Sequence, residues 1–339
     1  HYAEQLKESA EAAAAADHLM PLEDFDPLAL AQMGVKIKPI IFGGVRFELA
    51  HHQMQLVQKL IDNYGRVVAA HFMGTGKTVS AIVAAKLMMA MSDPNSPLYQ
   101  EDSPTKTLII APLNVVEQWR QAAMDFDEGA TVVGAGSGDI PVAEYLEMVK
   151  NGTDTNDLVV VGPEYFTLNE KALRDAGFDG MVVDEAHMGI KNANTKRNKA
   201  ISSWNSDMKM VMLLTGTPIT TSPSDILEYV KLLSNGQQWS GMTRKHFEEL
   251  YLEESPVPGE SGVKGKKGPK VQIKASKRDE LAAILAKWVH VAMGKDVMGK
   301  IMPAIYIAES QHAEMVGVQA ALYALQLAAL PKKARQALA

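Results

Sequence analysis

Short runs of almost unbroken apolar residues punctuate the chain between positions 66 and 217: RVVAAHF (66–72), TLIIAP (107–112), TVVGA (131–135), DLVVVGP (157–163), GMVVDEAH (180–187) and KMVMLLTGT (209–217). Each has the length of a strand and none alternates with polar residues, so they read as strands buried on both faces. Helical signals lie between and before them. Leu56, Val57, Leu60, Ile61 and Tyr64 fall on one helical face, and VSAIVAAKLMMAM (79–91) reads as a second helix. Asn114 and Glu117 have capping-box spacing ahead of a helix around Trp119, and Pro141 suits the first turn of another. Buried strands alternating with helices predict an α/β fold: a mostly parallel sheet with helices on both faces.

The flanks read differently. Residues 1–19 are polar and alanine-rich, a peripheral helix that buries little, and 20–45 carry Pro and Gly signals of a connector. The strand–helix alternation stops at 235. Residues 255–278 form a loop rich in Gly, Pro and Lys, whose core GVKGKKGPKVQIKASKR holds seven positive charges and no negative one. Helices resume at RDELAAILAKWV, where Leu281, Ile284, Leu285 and Trp288 make a core stripe, and at AEMVGVQAALYALQLAAL. The expected organisation is a helix and connector over 1–45, an α/β lobe over 46–235, and a helical extension over 236–339.

Composition narrows the chemistry. The 339 residues are 47% hydrophobic, enough for a substantial core, and contain no cysteine, which excludes disulfides and thiolate zinc sites. The formal net charge of -6 confines any nucleic-acid contact to a local patch. No apolar run approaches membrane-spanning length and no signal peptide is visible. The expected location is therefore intracellular, cytoplasmic or nucleoid/nuclear, and not secreted.

Two motifs stand at strand ends. HFMGTGKT (71–78) follows an apolar strand and opens a helix, the context a phosphate-binding loop requires. Its glycines let backbone N–H groups approach phosphates, Lys77 can reach the β- and γ-phosphates, and the Thr78 hydroxyl can ligate Mg²⁺. The strict pattern wants glycine where His71 stands, and a glycine turn with a chance lysine is the alternative. Asp184 and Glu185 end another apolar strand, at the edge where ligands bind in open α/β sheets. One carboxylate can hold Mg²⁺ and the other can orient or activate water; a solvated pair capping a helix is the alternative. His51 and His52 lack metal-ligand spacing.

With both motifs placed, the chain resembles the first RecA-like lobe of a superfamily 2 helicase, and especially the Swi/Snf group of double-stranded DNA translocases. DEAH (184–187) matches the second motif of that superfamily, and LLTGTPI (213–219) is similar to its third. TLIIAPLNVVEQW (107–119) and VVVGPEYF resemble its backbone-contacting segments, and LAHHQ (49–53) its adenine-reading motif. GKDVMGKIMP (294–303) and QAALY (319–323) are similar to the stretch leading out of that lobe.

The resemblance implies a RecA-like P-loop domain, ATP and Mg²⁺ as cofactors, ATP hydrolysis, and double-stranded DNA as partner. It assigns the nucleotide to Gln53, Met73, Gly74, Thr75, Gly76, Lys77 and Thr78, catalysis to Lys77, Asp184 and Glu185, and the metal to Thr78 and Asp184. It assigns coupling to His187, Thr215, Gly216 and Thr217, with His187 sensing the γ-phosphate or touching the third motif. Nucleic-acid contact falls to Pro112, Leu113, Asn114, Pro163 and Glu164.

Departures mark a distant branch. His71-Phe72 replaces the usual Asp-Glu, and Thr221 stands where an asparagine is frequent. The family's arginine fingers lie on a second RecA-like lobe. None is read after residue 325, where Arg335 stands alone in PKKARQALA, so the chain is expected to be one lobe of a larger protein. An RNA or single-strand helicase lobe and a non-enzymatic nucleotide-binding docking module are the rival readings. The continuation beyond 294 favours the duplex translocase over the first, and intact Lys77, Asp184 and Glu185 oppose the second. The basic stretch 264–278 either grips phosphates or is a solvated, disordered insertion.

Overall fold

The computed structural model of the chain describes residues 41–42, 45–46, 49–95, 99–126, 129–154, 156–220, 222–254 and 271–292. The predicted helices at 1–19 and around 313–330, Thr221, Arg335 and the loop over 255–270 lie outside the described residues.

A short antiparallel hairpin, β1 (Ile41–Phe42) and β2 (Val45–Arg46), crosses the boundary between the expected connector (20–45) and the α/β lobe. The order then runs α1 (His51–Asp62), β3 (Arg66–His71), α2 (Lys77–Ala90), β4 (Thr107–Ile110), α3 (Val116–Phe126), β5 (Thr131–Val133), α4 (Val142–Lys150), β6 (Leu158–Val161), α5 (Pro163–Arg174), β7 (Gly180–Val183), α6 (Lys196–Asn205) and β8 (Met210–Thr215). α7 (Ile226–Leu233), α8 (Arg244–Tyr251), β9 (Leu252–Glu254), β10 (Val271–Ile273), α9 (Arg278–Trp288) and β11 (Val289–Ala292) follow.

Seven parallel strands make one sheet in the order β11-β3-β8-β7-β4-β6-β5. Each predicted apolar run supplies one strand. The seventh was not foreseen: β11 pairs with β3 in parallel, Val289 opposite Val68 and Ala292 opposite His71. A stretch read as part of a helical extension beyond 235 therefore completes the sheet. The second departure is β10, which pairs antiparallel with β9 inside the segment read as loop (255–278).

The strands divide their side chains by parity. Val68, Ala70, Leu108, Ile110, Val211 and Leu213 face a core with α4 to α9. Val67, Ala69, Ile109, Met210, Met212 and Leu214 face a second core with α1, α2 and α3. A period of two with both faces covered is why the strands read as unbroken apolar runs. α2 is buried from Ser80 to Met89, which explains its almost uniformly apolar sequence.

Local details differ from expectation. Tyr64 leaves the apolar face: α1 ends at Asp62, and Tyr64 (φ 50) turns the chain toward β3 and is 73% exposed. Asn114 caps nothing. A tight turn over Leu113–Val115, closed by the Val115 N–H to the Pro112 carbonyl at 2.9 Å, precedes α3, and Glu117 bonds Arg120 at 2.8 Å. Pro141 sits one position before α4. Among the described residues, no helix is long and apolar enough to cross a membrane.

Candidate functional site

In a parallel sheet every carboxyl edge opens on one side, so the segments after β3, β4, β6, β7 and β8 share a rim. The central feature is the loop from Phe72 to Gly76. Gly74 (φ 79) and Gly76 (φ 80) are both left-handed, a conformation that costs any other residue. Gly76 also needs the space: a Cβ there would lie 2.4 Å from Nε2 of Gln53. Thr75 is buried and its hydroxyl donates to the Phe72 carbonyl at 2.8 Å. Gly76 caps α2 without a side-chain bond, so the first N–H groups of that helix face the rim with the positive end of its dipole.

Lys77 curls back beneath the loop and donates to the carbonyls of His71 (3.1 Å) and Phe72 (3.3 Å). Burial lowers its pKa below the ordinary lysine value, while the nearby carboxylates of Glu185 and Asp184 act in the opposite sense. Thr78 is half-buried on the first turn of α2. An uncapped helix start, a left-handed glycine cradle and a lysine within the field of two carboxylates fit a polyphosphate with its divalent cation. Among the described residues, no group of three or more His, Cys, Asp or Glu side chains converges to hold a metal by itself. Thr78 and Asp184 would therefore need ligand oxygens or water to complete a coordination shell.

Asp184 is held from several directions. Its N–H donates to the Ile110 carbonyl (2.9 Å), its Oδ1 accepts the N–H of Glu185 (2.9 Å), and its Oδ2 accepts the indole N–H of Trp119 (2.9 Å). Glu185 adopts φ 46, a left-handed conformation that is strained for a non-glycine residue. His187 Nδ1 lies 3.2 Å from Glu185 Oε2 and 3.0 Å from the Thr215 hydroxyl, which accepts the N–H of Thr217 at 3.0 Å. His187 thus lies against Thr215, the last residue of β8. Gly216 packs beside Met73, bringing the loops after β3 and β8 together.

Gln53 sits behind the loop, buried. Its Oε1 accepts the Ala50 N–H (2.8 Å) and its Nε2 donates to the Gly76 carbonyl (3.3 Å), so in this structure it braces the cradle. The expected nucleic-acid residues are split. Leu113 and Asn114 are exposed on the rim, Pro112 is half-buried, and Pro163 is buried as the first residue of α5. Glu164 is exposed but ion-paired with Arg197.

Sequence reasoning missed a histidine group under the loop. His52 donates from Nε2 to the Thr75 carbonyl (2.9 Å), and the fully buried His71 pairs through Nε2 with Nδ1 of His290 at 2.7 Å. Burial, with His290, His52 and Lys77 nearby, holds the His71 pKa well below the usual histidine range. The unusual His71 was visible in the motif; nothing in the sequence pointed to His290, which β11 delivers from 219 residues away. A surface cavity lined by Tyr64, Met88, Gln100, Met208 and Lys209 lies at the opposite, amino edge of the strands.

The chain is 23% identical over 191 residues to a SWI/SNF-related matrix-associated actin-dependent regulator of chromatin subfamily A-like protein 1 homolog of Caenorhabditis elegans, covering 54% of this chain and 24% of that protein. It is 26% identical over 201 residues to the uncharacterized ATP-dependent helicase YqhH of Bacillus subtilis, covering 59% and 31%. The chain thus spans about a quarter to a third of these relatives. The UvsW helicase of bacteriophage T4 superposes with a TM-score of 0.42 at 17% identity, covering 62% of this chain and 65% of that one. The SNF2-related domain profile matches residues 52–336, more than half of the chain, and the chain belongs to that family.

Proposed function

We propose that this chain is the ATP-binding first lobe of a motor that hydrolyses ATP and moves along double-stranded DNA. The observation that carries the reading is the convergence, on one sheet edge, of the uncapped α2 start, Lys77, the Asp184–Glu185 pair and the His187–Thr215–Thr217 contacts. In this reading the backbone N–H groups of residues 74–78 and the Lys77 ammonium bind the β- and γ-phosphates, and Thr78 and Asp184 hold Mg²⁺. When bound, the cation neutralises charge on the phosphoryl oxygens. Glu185 orients the attacking water and takes its proton. His187 ties Glu185 to Thr215 at the end of β8, whose hydroxyl also holds the N–H of Thr217, so movement of the segment after β8 and repositioning of the carboxylate go together.

Duplex DNA as partner rests on the family resemblance and on the exposed Leu113 and Asn114 beside the site. A second RecA-like lobe is part of the reading, because an arginine finger contributes about 10³–10⁵-fold to phosphoryl transfer. Calorimetry with a non-hydrolysable ATP analogue tests the nucleotide site: Lys77→Ala should abolish detectable binding, and equal affinity in parent and variant refutes the assignment. Phosphate release by the full-length protein with duplex DNA, single strands or RNA tests the partner. Duplex should stimulate most; stimulation by RNA alone would reject the DNA motor.

A further inference from the structure

We infer that Trp119 is a positioning residue for Asp184, fixing the orientation of that carboxylate through a hydrogen bond from its indole N–H. The inference rests on the proposed nucleotide reading, in which Asp184 faces the divalent cation.

Asp184 leaves the end of β7, and β4 is the neighbouring strand. Two grips on Asp184 come from the β4 side: the Ile110 carbonyl takes its backbone N–H, and Trp119, on the helix that follows β4, donates to Oδ2 at 2.9 Å. The N–H of Glu185 holds Oδ1 at 2.9 Å. The carboxylate cannot rotate about its Cβ–Cγ bond without breaking one of these bonds. Each oxygen accepts one bond and keeps a lone pair for a cation or a cation-bound water. An N–H bond to an ionised carboxylate is among the stronger neutral-donor contacts, and Mg²⁺ demands near-ideal octahedral geometry from its donors.

Packing alone does not explain the indole. Trp119 is 1% exposed among apolar neighbours, where a purely hydrocarbon ring would fill space without burying a polar N–H. The second such tryptophan makes the contrast. Trp204 is also 1% exposed, lies on the other face of the sheet, and its Nε1 has no hydrogen-bond partner. Trp204 is a core filler; Trp119 has its donor aimed at a site carboxylate.

The pair supplies its own control. Trp119 and, separately, Trp204 are replaced by 3-benzothienylalanine, which keeps the ring shape and exchanges the N–H for sulfur. Affinity for a non-hydrolysable ATP analogue is measured by calorimetry with Mg²⁺ and with EDTA, beside the thermal midpoint. Outer partners of metal ligands are worth about 10–100-fold in metal affinity, so the Trp119 analogue should lose about 10-fold or more of the gain from Mg²⁺. Its metal-free affinity should match the parent, and the Trp204 analogue should match the parent in both. Trp119→Phe should show the same split. An unchanged Mg²⁺ gain in the Trp119 analogue, or equal losses with and without metal, overturns the role and leaves Trp119 a packing residue. A parent chain that binds no nucleotide overturns the nucleotide reading itself; one that binds it but gains nothing from Mg²⁺ overturns the cation at Asp184, and the inference with it.

Discussion

Acid should destabilise this domain through His71 in particular. His71 is fully buried between β11, α1 and α2, and the groups that act on it are His290, His52 and Lys77, all basic. Its pKa in the folded state is therefore depressed well below the unfolded value of about 6.5. As pH falls below about 6.5 the unfolded chain takes up a proton at this position and the folded chain does not. The stability is present in full above that pH and is lost as pH falls toward the folded-state value. While folded His71 stays neutral, the loss is about 1.4 kcal/mol per pH unit, or about 2 kcal/mol at pH 5.0. That is a large share of a typical domain stability of roughly 5–15 kcal/mol. His71→Gln places an amide within reach of His290 Nδ1 and removes the titration. Urea unfolding followed by circular dichroism at pH 7.5 and 5.0 reads the difference. The carboxylates and the other histidines, including His52 and His290, are common to both proteins and cancel, so the parent should lose about 2 kcal/mol more than the variant between the two pH values. Equal losses would mean that folded His71 accepts a proton and that its burial carries no electrostatic cost.

Gly76→Ala forces a Cβ into a left-handed position 2.4 Å from the Gln53 amide; it should cost about 1–2 kcal/mol in urea unfolding and weaken nucleotide binding, and an unchanged midpoint would contradict the cradle geometry. Glu185→Gln in the full-length protein should keep nucleotide affinity while phosphate release falls about 100-fold or more, and a parental rate would remove Glu185 from its role. Asp225 is buried, with its Oδ2 accepting from Thr220 N (2.9 Å) and Oγ1 (3.0 Å) and its Oδ1 from Arg244 (2.8 Å); Asp225→Ala should lower stability by about 3 kcal/mol, and a loss below about 1 kcal/mol would mean that water replaces the carboxylate.

Much of the fold was legible because it depends on local pattern. A strand buried on both faces must be apolar at every position, and β3, β4, β6, β7 and β8 each declared themselves by that rule. The geometry of the loop before α2 was equally local: two glycines, a lysine and a threonine between a strand and a helix specify a left-handed turn and an open helix start. The tertiary structure decided what depends on residues distant in sequence. β11 joins the sheet beside β3 although its short sequence, VHVA, directly follows α9 and carries no long apolar run to announce a strand; the pairing is made with residues far away in the chain. That pairing brings His290 to His71. Trp119 reaches Asp184 only because β4 and β7 are neighbours in space. Pro163, read as a surface contact, is buried because it begins a helix that packs down on the sheet. Periodicity and motif spacing determine which residues stand at strand ends; strand order, which arises from long-range packing, determines which of them meet.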